Sequence, residues 1–266
     1  MTAHSARIGS RSPATGRDRS TIWTRRLAAE LFGTFALTFV AAGADVAGRL
    51  SGGEVGAAAR AAAPALLIAA MIYALGDVSG AHYNPVVSLG FAMRRLFPAS
   101  WLAPYWLAQL GGAIAAAFVL RGLFGGALEA GVSEPHLVTS GTAVVVEALL
   151  TLLLVTVILG TADRSRLVGP NAALAVGATI ALCGLIAIPL EGASMNPARS
   201  FGPAIASGRI GDLWIYLVGP VVGSILAVGL TFLLHGPTAP DEKAAEIAQG
   251  DQGGQAERPQ GPEGTG

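Results

Sequence analysis

The chain has 266 residues, of which 52% are hydrophobic and 13% are charged, and its formal net charge at neutral pH is zero. So few charges in an apolar chain of this length indicate a membrane protein, and the balanced charge gives no support for a nucleic-acid partner. The single cysteine, Cys183, excludes a disulfide within the chain.

The two ends of the chain differ in composition from its middle. Residues 1–26 contain six arginines and one aspartate, and they lack the apolar core of a cleavable signal peptide. We expect a basic, disordered cytoplasmic tail there, with an organellar presequence as the alternative. Residues 236–266 are rich in Pro, Gly, Gln and Glu, so we expect a second disordered cytoplasmic tail at that end.

Between the tails, six apolar runs are long enough to cross a bilayer. These runs are residues 27–48, 62–78, 100–123, 139–161, 168–188 and 212–234. Lys and Arg lie in both tails and at Arg94, Arg95, Arg164 and Arg166, which fall on one side if the six spans alternate in direction. The positive-inside rule makes that side cytoplasmic, so we expect a multi-pass cell-membrane protein with both termini in the cytoplasm.

Two closely similar motifs interrupt the apolar pattern, and each contains an Asn-Pro pair. The first motif is SGAHYNPV at residues 79–86, and the second is EGASMNPA at residues 191–198. Asn caps free backbone N–H groups and Pro suits the first position of a helix, so each pair predicts a helix start. The helix after Asn84 has about 15 Å before Arg95, half of a bilayer core of about 30 Å. Each motif therefore predicts a half-helix that enters the membrane without crossing it.

The sequence repeats its organisation in residues 27–124 and 139–235. Each half begins with a span that carries one carboxylate, Glu30 or Glu147, and each reaches its Asn-Pro motif two spans later. Because three spans is an odd number, the second half inserts upside down relative to the first. We therefore predict an all-α membrane protein with six transmembrane helices and two re-entrant half-helices, in which Asn84 and Asn196 meet near the midplane.

The pairs Asn84-Pro85 and Asn196-Pro197 also predict a pore. Irregular backbone is tolerated in a membrane only where it is buried in protein or lines water, so the carbonyls before each pair are expected to line a lumen. If the Asn oxygens cap the half-helices, the amide N–H groups stay free to donate to a solute. Two facing helix N-termini, and Arg199 just after the second pair, add positive charge that repels cations.

Other functions stay open at this point. We expect Glu30 and Glu147 to accept hydrogen bonds from loop backbone N–H groups, but they are also candidates for the proton relay of an ion- or proton-coupled secondary transporter. Asp45 and Asp77 lie near the ends of spans, and we expect them to face solvent or a helix terminus. The apolar spans show no metal-ligand spacing and no Ser/His/Asp set, so we expect no metal, no cofactor and no enzymatic activity.

The two motifs resemble the signatures of the aquaporin family, the major intrinsic proteins. The first signature lies at residues 79–86, and the second is the sequence GASMNPARSFGP at residues 192–203. The resemblance covers residues 25–235 and implies a six-helix fold with two half-helices, usually a homotetramer with one pore in each subunit. The pore motifs it implies are Asn84, Pro85, Val86, Asn196, Pro197 and Ala198, where Val86 replaces the family's usual alanine.

In this family an outer constriction of four residues sets the choice of solute, and the resemblance places Pro64, Gly184, Ala193 and Arg199 there. Water-selective members carry an aromatic residue and a histidine at the first two positions, and this chain has neither. The small residues imply a wide constriction that is most similar to that of the nodulin-like branch. The resemblance thus implies a passive channel among membrane lipids for water and small uncharged solutes, with exclusion of protons and cations. The expected solutes are glycerol-like polyols or metalloid hydroxides such as arsenous acid.

Overall fold

The computed structural model describes residues 16–162 and 171–237, and over those residues its regular structure is helical, without strands. Eight α-helices lie in this part of the chain. In order they are α1 (Gly16–Leu50), α2 (Ala57–Ser79), α3 (Pro85–Met93), α4 (Leu102–Phe124), α5 (Ser140–Thr161), α6 (Ala172–Glu191), α7 (Pro197–Ser207) and α8 (Ile215–His235). Two 3₁₀ segments, Ala99–Trp101 and Gly125–Gly131, flank α4.

Six segments of the described chain are long and apolar enough to cross a membrane. They are Ser20–Leu50, Ala57–Ser79, Ala99–Gly131, Ser140–Thr161, Ala172–Glu191 and Ile215–His235. By contrast, α3 and α7 have only nine and eleven residues, which at 1.5 Å per residue is about half of a bilayer core. The predicted fold class of six transmembrane helices plus two half-helices is confirmed.

The N-terminal helix begins earlier than the sequence predicts. Residues 16–26 belong to α1, where we predicted a disordered tail. The physical reason is an aromatic contact, because the Trp23 ring lies 3.7 Å from that of Trp101 and the Arg26 guanidinium lies 4.9 Å over the same Trp101 ring. The rest of the predicted tails, residues 1–15 and 238–266, and the loop arginines 164 and 166 lie outside the described residues.

The long helices pack in matched pairs, with α1 along α4 in the first half and α5 along α8 in the second. In each pair, the two helices approach each other closely at a glycine. A Cβ at Gly112 would lie 2.1 Å from the Leu31 carbonyl oxygen, and a Cβ at Gly223 would lie 2.3 Å from the Ala148 carbonyl oxygen. Such close backbone approach is typical of membrane helix interfaces, where packing replaces the hydrophobic driving force. The two contacts occupy equivalent places in the two halves and support the inverted repeat.

We expect Gly112→Ala to destabilise the fold, because the added methyl group overlaps the backbone of α1. Overpacking of this kind costs about 1–3 kcal/mol. The neighbouring variant Gly111→Ala is the control, since a Cβ at Gly111 meets no atom within 4 Å. Thermal unfolding in detergent should show a lower melting temperature for Gly112→Ala only, and equal melting of both variants would contradict this packing.

Candidate functional site

A cavity of about 180 Å³ runs through the helix bundle. Its lining includes Asp45, Arg60, Asn84, Asn196 and Thr161. Asp45 and Thr161 lie near the C-terminal ends of α1 and α5. Because the spans alternate in direction, those two helices end on opposite sides of the membrane. The cavity therefore extends across the bilayer, and we refer to its two ends as the Asp45 end and the Thr161 end.

Two loops with the same unusual backbone precede the half-helices. In the first loop, Ala81 and Tyr83 have φ values of 51° and 49°, and in the second loop Ala193 and Met195 have φ values of 47° and 53°. Residues other than glycine adopt this left-handed region rarely, and such strain persists only where the surrounding structure imposes it. Of these four residues, Ala81, Ala193 and Met195 line the cavity, and so do Gly80, His82 and Ser194 of the same loops.

Glu30 holds the first loop in place. Its two carboxylate oxygens accept the backbone N–H groups of His82 at 2.9 Å and Tyr83 at 2.7 Å. They also accept the Ser79 hydroxyl at 2.7 Å and the Gln109 amide at 2.8 Å. These four donors satisfy the hydrogen-bonding capacity of the buried carboxylate.

Glu147 holds the second loop in the same way. It accepts the backbone N–H groups of Ser194 at 2.5 Å and Met195 at 2.8 Å. A second buried carboxyl group, Glu191, takes the place that Ser79 has in the first motif, and it accepts the Ala193 N–H at 3.1 Å. Sequence reasoning did not single out Glu191. A comparison of the two motifs could have revealed it, because the first motif begins with Ser79 and the second begins with Glu191.

Asn84 and Asn196 each cap their own half-helix and bond to the opposite loop. The Asn84 side-chain oxygen accepts the Val86 N–H at 3.1 Å, and that of Asn196 accepts the Ala198 N–H at 3.0 Å. The Asn84 amide then donates to the Met195 carbonyl at 2.8 Å, and the Asn196 amide donates to the Tyr83 carbonyl at 2.9 Å. We expected both N–H groups of each side-chain amide to stay free. That expectation is wrong for one N–H group of each asparagine, because the opposing loop supplies a carbonyl acceptor for it.

The other residues of the two motifs support the asparagines from behind. Pro85 and Pro197 take the first positions of α3 and α7. Val86 and Ala198 are buried and are not among the residues that line the cavity. The Val86 carbonyl accepts the Ser224 hydroxyl at 2.8 Å, which ties α3 to α8. Valine at position 86 thus fills packing space and leaves the lumen unchanged.

Pro64, Gly184, Ala193 and Arg199 all line the cavity. Gly184 lies against α2, because a Cβ there would be 2.9 Å from the Ala61 Cβ. Arg199 is the only one of the four with a long polar side chain. Its guanidinium donates to the Ser133 hydroxyl and lies 3.4 Å from the Asp45 carboxylate.

Asp45 was expected to face solvent or a helix terminus, and that expectation is wrong. It is 9% exposed and lies 3.2 Å from Arg60 and 3.4 Å from Arg199. The reason is that the Asp45 carboxylate lies between the two guanidinium groups, which cover it. Ser133, on the loop after α4, is a second residue that sequence reasoning missed, because nothing in its local sequence marks it.

A separate charge cluster joins the loop after α7 to the 3₁₀ segment Gly125–Gly131 and to the loop before α5. Arg209 lies 2.7 Å from Glu134 and 3.5 Å from Glu129. The hydrogen bonds and charge of Glu134 raise the pKa of Arg209 above its usual value. These side chains do not line the cavity, so the exposed Glu129 offers a matched control for the buried carboxylates.

We expect Glu30→Gln to lower the stability of the fold. Glutamine keeps the size of the side chain but turns one acceptor oxygen into an NH₂ group, which leaves buried donors of the first loop unpaired. Each such loss costs about 1–3 kcal/mol. Thermal unfolding in detergent should show a lower melting temperature for Glu30→Gln and no change for Glu129→Gln. Wild-type melting of Glu30→Gln would show that the carboxylate does not hold the loop.

Comparison with known proteins places these features in a family. The Major intrinsic protein family matches residues 18–231. The chain is 44% identical to aquaporin NIP1-1 of Zea mays over 204 residues, which cover 76% of this chain and 71% of that relative. It is 42% identical to the probable aquaporin NIP4-2 of Arabidopsis thaliana over 209 residues, 79% of this chain and 74% of the relative.

Among solved structures, the chain is similar to the aquaglyceroporin from Plasmodium falciparum. The TM-score is 0.71 at 25% sequence identity, and the match covers 79% of this chain and 95% of that one. The inverted repeat, the two capped half-helices and the traversing cavity agree with this likeness. The chain therefore belongs to the major intrinsic protein family of aquaporin channels, and it is not an enzyme.

Proposed function

We propose that the protein is a passive channel for water and small uncharged solutes, and that it excludes protons and cations. The observation that carries this proposal is the traversing cavity, with two asparagines at its middle and Arg199 among small residues toward the Asp45 end. A solute that enters must give up hydrogen bonds to water, and the cavity offers replacements. The second N–H of each asparagine amide donates, and the hydroxyl groups of a polyol accept.

Charge exclusion follows from the way the half-helices meet. The N-termini of α3 and α7 point at the asparagines, and each carries roughly half a positive charge. Arg199 adds a full positive charge nearer the Asp45 end. A cation or hydronium ion therefore meets a positive potential where its hydration is lost, while a neutral hydroxyl compound is only oriented.

The small side chains around Arg199 favour solutes larger than water. Pro64, Gly184 and Ala193 offer neither an aromatic ring nor a long side chain to narrow the lumen. We therefore propose glycerol-like polyols, or metalloid hydroxides such as arsenous acid, as solutes beside water. The similarity to NIP aquaporins and to a solved structure described as an aquaglyceroporin supports this assignment.

The proposed setting is a cell membrane, with both termini in the cytoplasm and a homotetramer as the assembly. Large apolar side chains on α5 and α6 face outward and are more than half exposed, among them Leu149, Leu153, Leu182 and Ile186. Lipid tails and neighbouring subunits would cover them. The cytoplasmic location of the termini is supported by the Lys and Arg residues that the sequence places on that side.

Stopped-flow light scattering on proteoliposomes tests the proposed function. Water, glycerol and arsenous acid should each cross faster than in empty vesicles, equilibrate without accumulation, and ignore an imposed proton gradient. Proton leak should stay at the level of empty vesicles. Accumulation driven by a proton gradient would instead identify a coupled transporter, and a rate increase for water alone would contradict the wide constriction.

A further inference from the structure

The Asp45 carboxylate bridges two arginines at one mouth of the cavity. Its Oδ1 atom accepts a hydrogen bond from Arg60 Nη1 at 3.2 Å, and its Oδ2 atom accepts one from Arg199 Nη2 at 3.4 Å. All three side chains line the cavity. With the carboxylate ionised, the two guanidinium groups and the carboxylate together carry one positive charge.

A glycine on α1 lies beside the path of this bridge. Arg60 belongs to the first turn of α2, and its side chain crosses α1 at Gly48 before it reaches Asp45. A Cβ at Gly48 would lie 3.2 Å from Arg60 Cδ and 3.0 Å from the Val55 carbonyl oxygen. The arginine side chain therefore passes close over Gly48, one turn beyond Asp45, where little room is left for another side chain.

The bridge lies directly beyond the predicted constriction. Arg60 precedes Pro64 by one helical turn, and Asp45 contacts Arg199, which belongs to the constriction itself. The guanidinium of Arg199 is drawn toward α1 by Asp45 and donates to the Ser133 hydroxyl on the loop after α4. These two contacts fix its head group against the wall of the cavity, which leaves the lumen open between the small residues.

We propose that Asp45 determines the solute specificity of this channel by holding Arg199 against the wall, while Arg60 supplies the positive charge that excludes cations at the mouth. The proposal rests on the proposed function and names the residues outside the four-residue constriction that set its width and its charge. Without the carboxylate, the Arg199 head group turns to water in the lumen and narrows the path for a polyol more than for water. Without Arg60, Asp45 neutralises Arg199, and the net charge of the mouth falls from one to zero.

The two roles predict opposite patterns for two variants. Asp45→Asn keeps the size of the side chain and should lower the ratio of glycerol to water permeability about threefold or more, the scale of a partly exposed ion pair. Its cation leak should stay at the wild-type level, because the mouth becomes more positive. Arg60→Gln should keep the permeability ratio and raise the leak of potassium ions and protons. Asp45→Glu, which restores the carboxylate, should recover most of the wild-type ratio.

The experiment measures water, glycerol, potassium and proton permeability on the same proteoliposome preparations of the full chain, normalised to incorporated protein. Glu129→Gln is the matched control, because it removes an exposed carboxylate that pairs with Arg209 away from the cavity. The proposal would be overturned if the ratio of glycerol to water permeability were the same in Asp45→Asn as in Glu129→Gln. A lower ratio of glycerol to water permeability in Arg60→Gln would also overturn the proposal, because it would indicate a general structural role. That result counts against the proposal even if Asp45→Asn does not fold.

The outcome for the wild-type chain separates this proposal from the proposed function. If wild-type vesicles pass neither water nor glycerol faster than empty vesicles, the channel function itself fails. If the wild-type chain passes water and glycerol, and Asp45→Asn keeps the wild-type ratio of glycerol to water permeability, only the proposed role of Asp45 fails.

Discussion

Two hydrogen bonds at the centre of the molecule fix the rest of its architecture. The Asn84 amide donates to the Met195 carbonyl at 2.8 Å, and the Asn196 amide donates to the Tyr83 carbonyl at 2.9 Å. Each asparagine thereby caps its own half-helix and fastens the loop of the other. Because both loops contain left-handed residues, they need this fastening and the buried carboxylates behind them to keep their shape. The cavity runs past these loops, and residues of both loops line it.

The two halves of the inverted repeat match closely at the centre of the molecule. They differ at the end of the cavity where selectivity is proposed. The asparagines, the loop conformations and the carboxylates Glu30 and Glu147 have matched partners in the two halves. Arg199 does not, since the equivalent position of the first motif is Val87. The common frame thus provides a passage for neutral molecules, and the unmatched groups at one end adjust its width and charge.

Much of the fold could be predicted from the sequence because its signals are local. The length of the apolar runs predicts the six spans, and an Asn-Pro pair predicts the start of each half-helix. The contacts of Asp45 could not be predicted in this way, since they depend on Arg60 crossing α1 at Gly48, which only the packed structure shows. The early start of α1 has the same kind of cause, because its polar, arginine-rich segment packs on Trp101 of the 3₁₀ segment before α4, a contact that the local sequence does not reveal.

The central proposal is that the asparagine amides and the helix N-termini exclude protons at the middle of the cavity. The direct test is the proton conductance of vesicles that contain the double variant Asn84→Asp and Asn196→Asp. Aspartate caps a helix as well as asparagine does, so the half-helices keep their starts. It cannot donate to the opposite carbonyl, however, and its negative charge offsets the helix ends. In vesicles where the double variant still conducts water, we expect a proton leak well above that of the wild type. Wild-type proton leak in a variant that still conducts water would contradict the proposal.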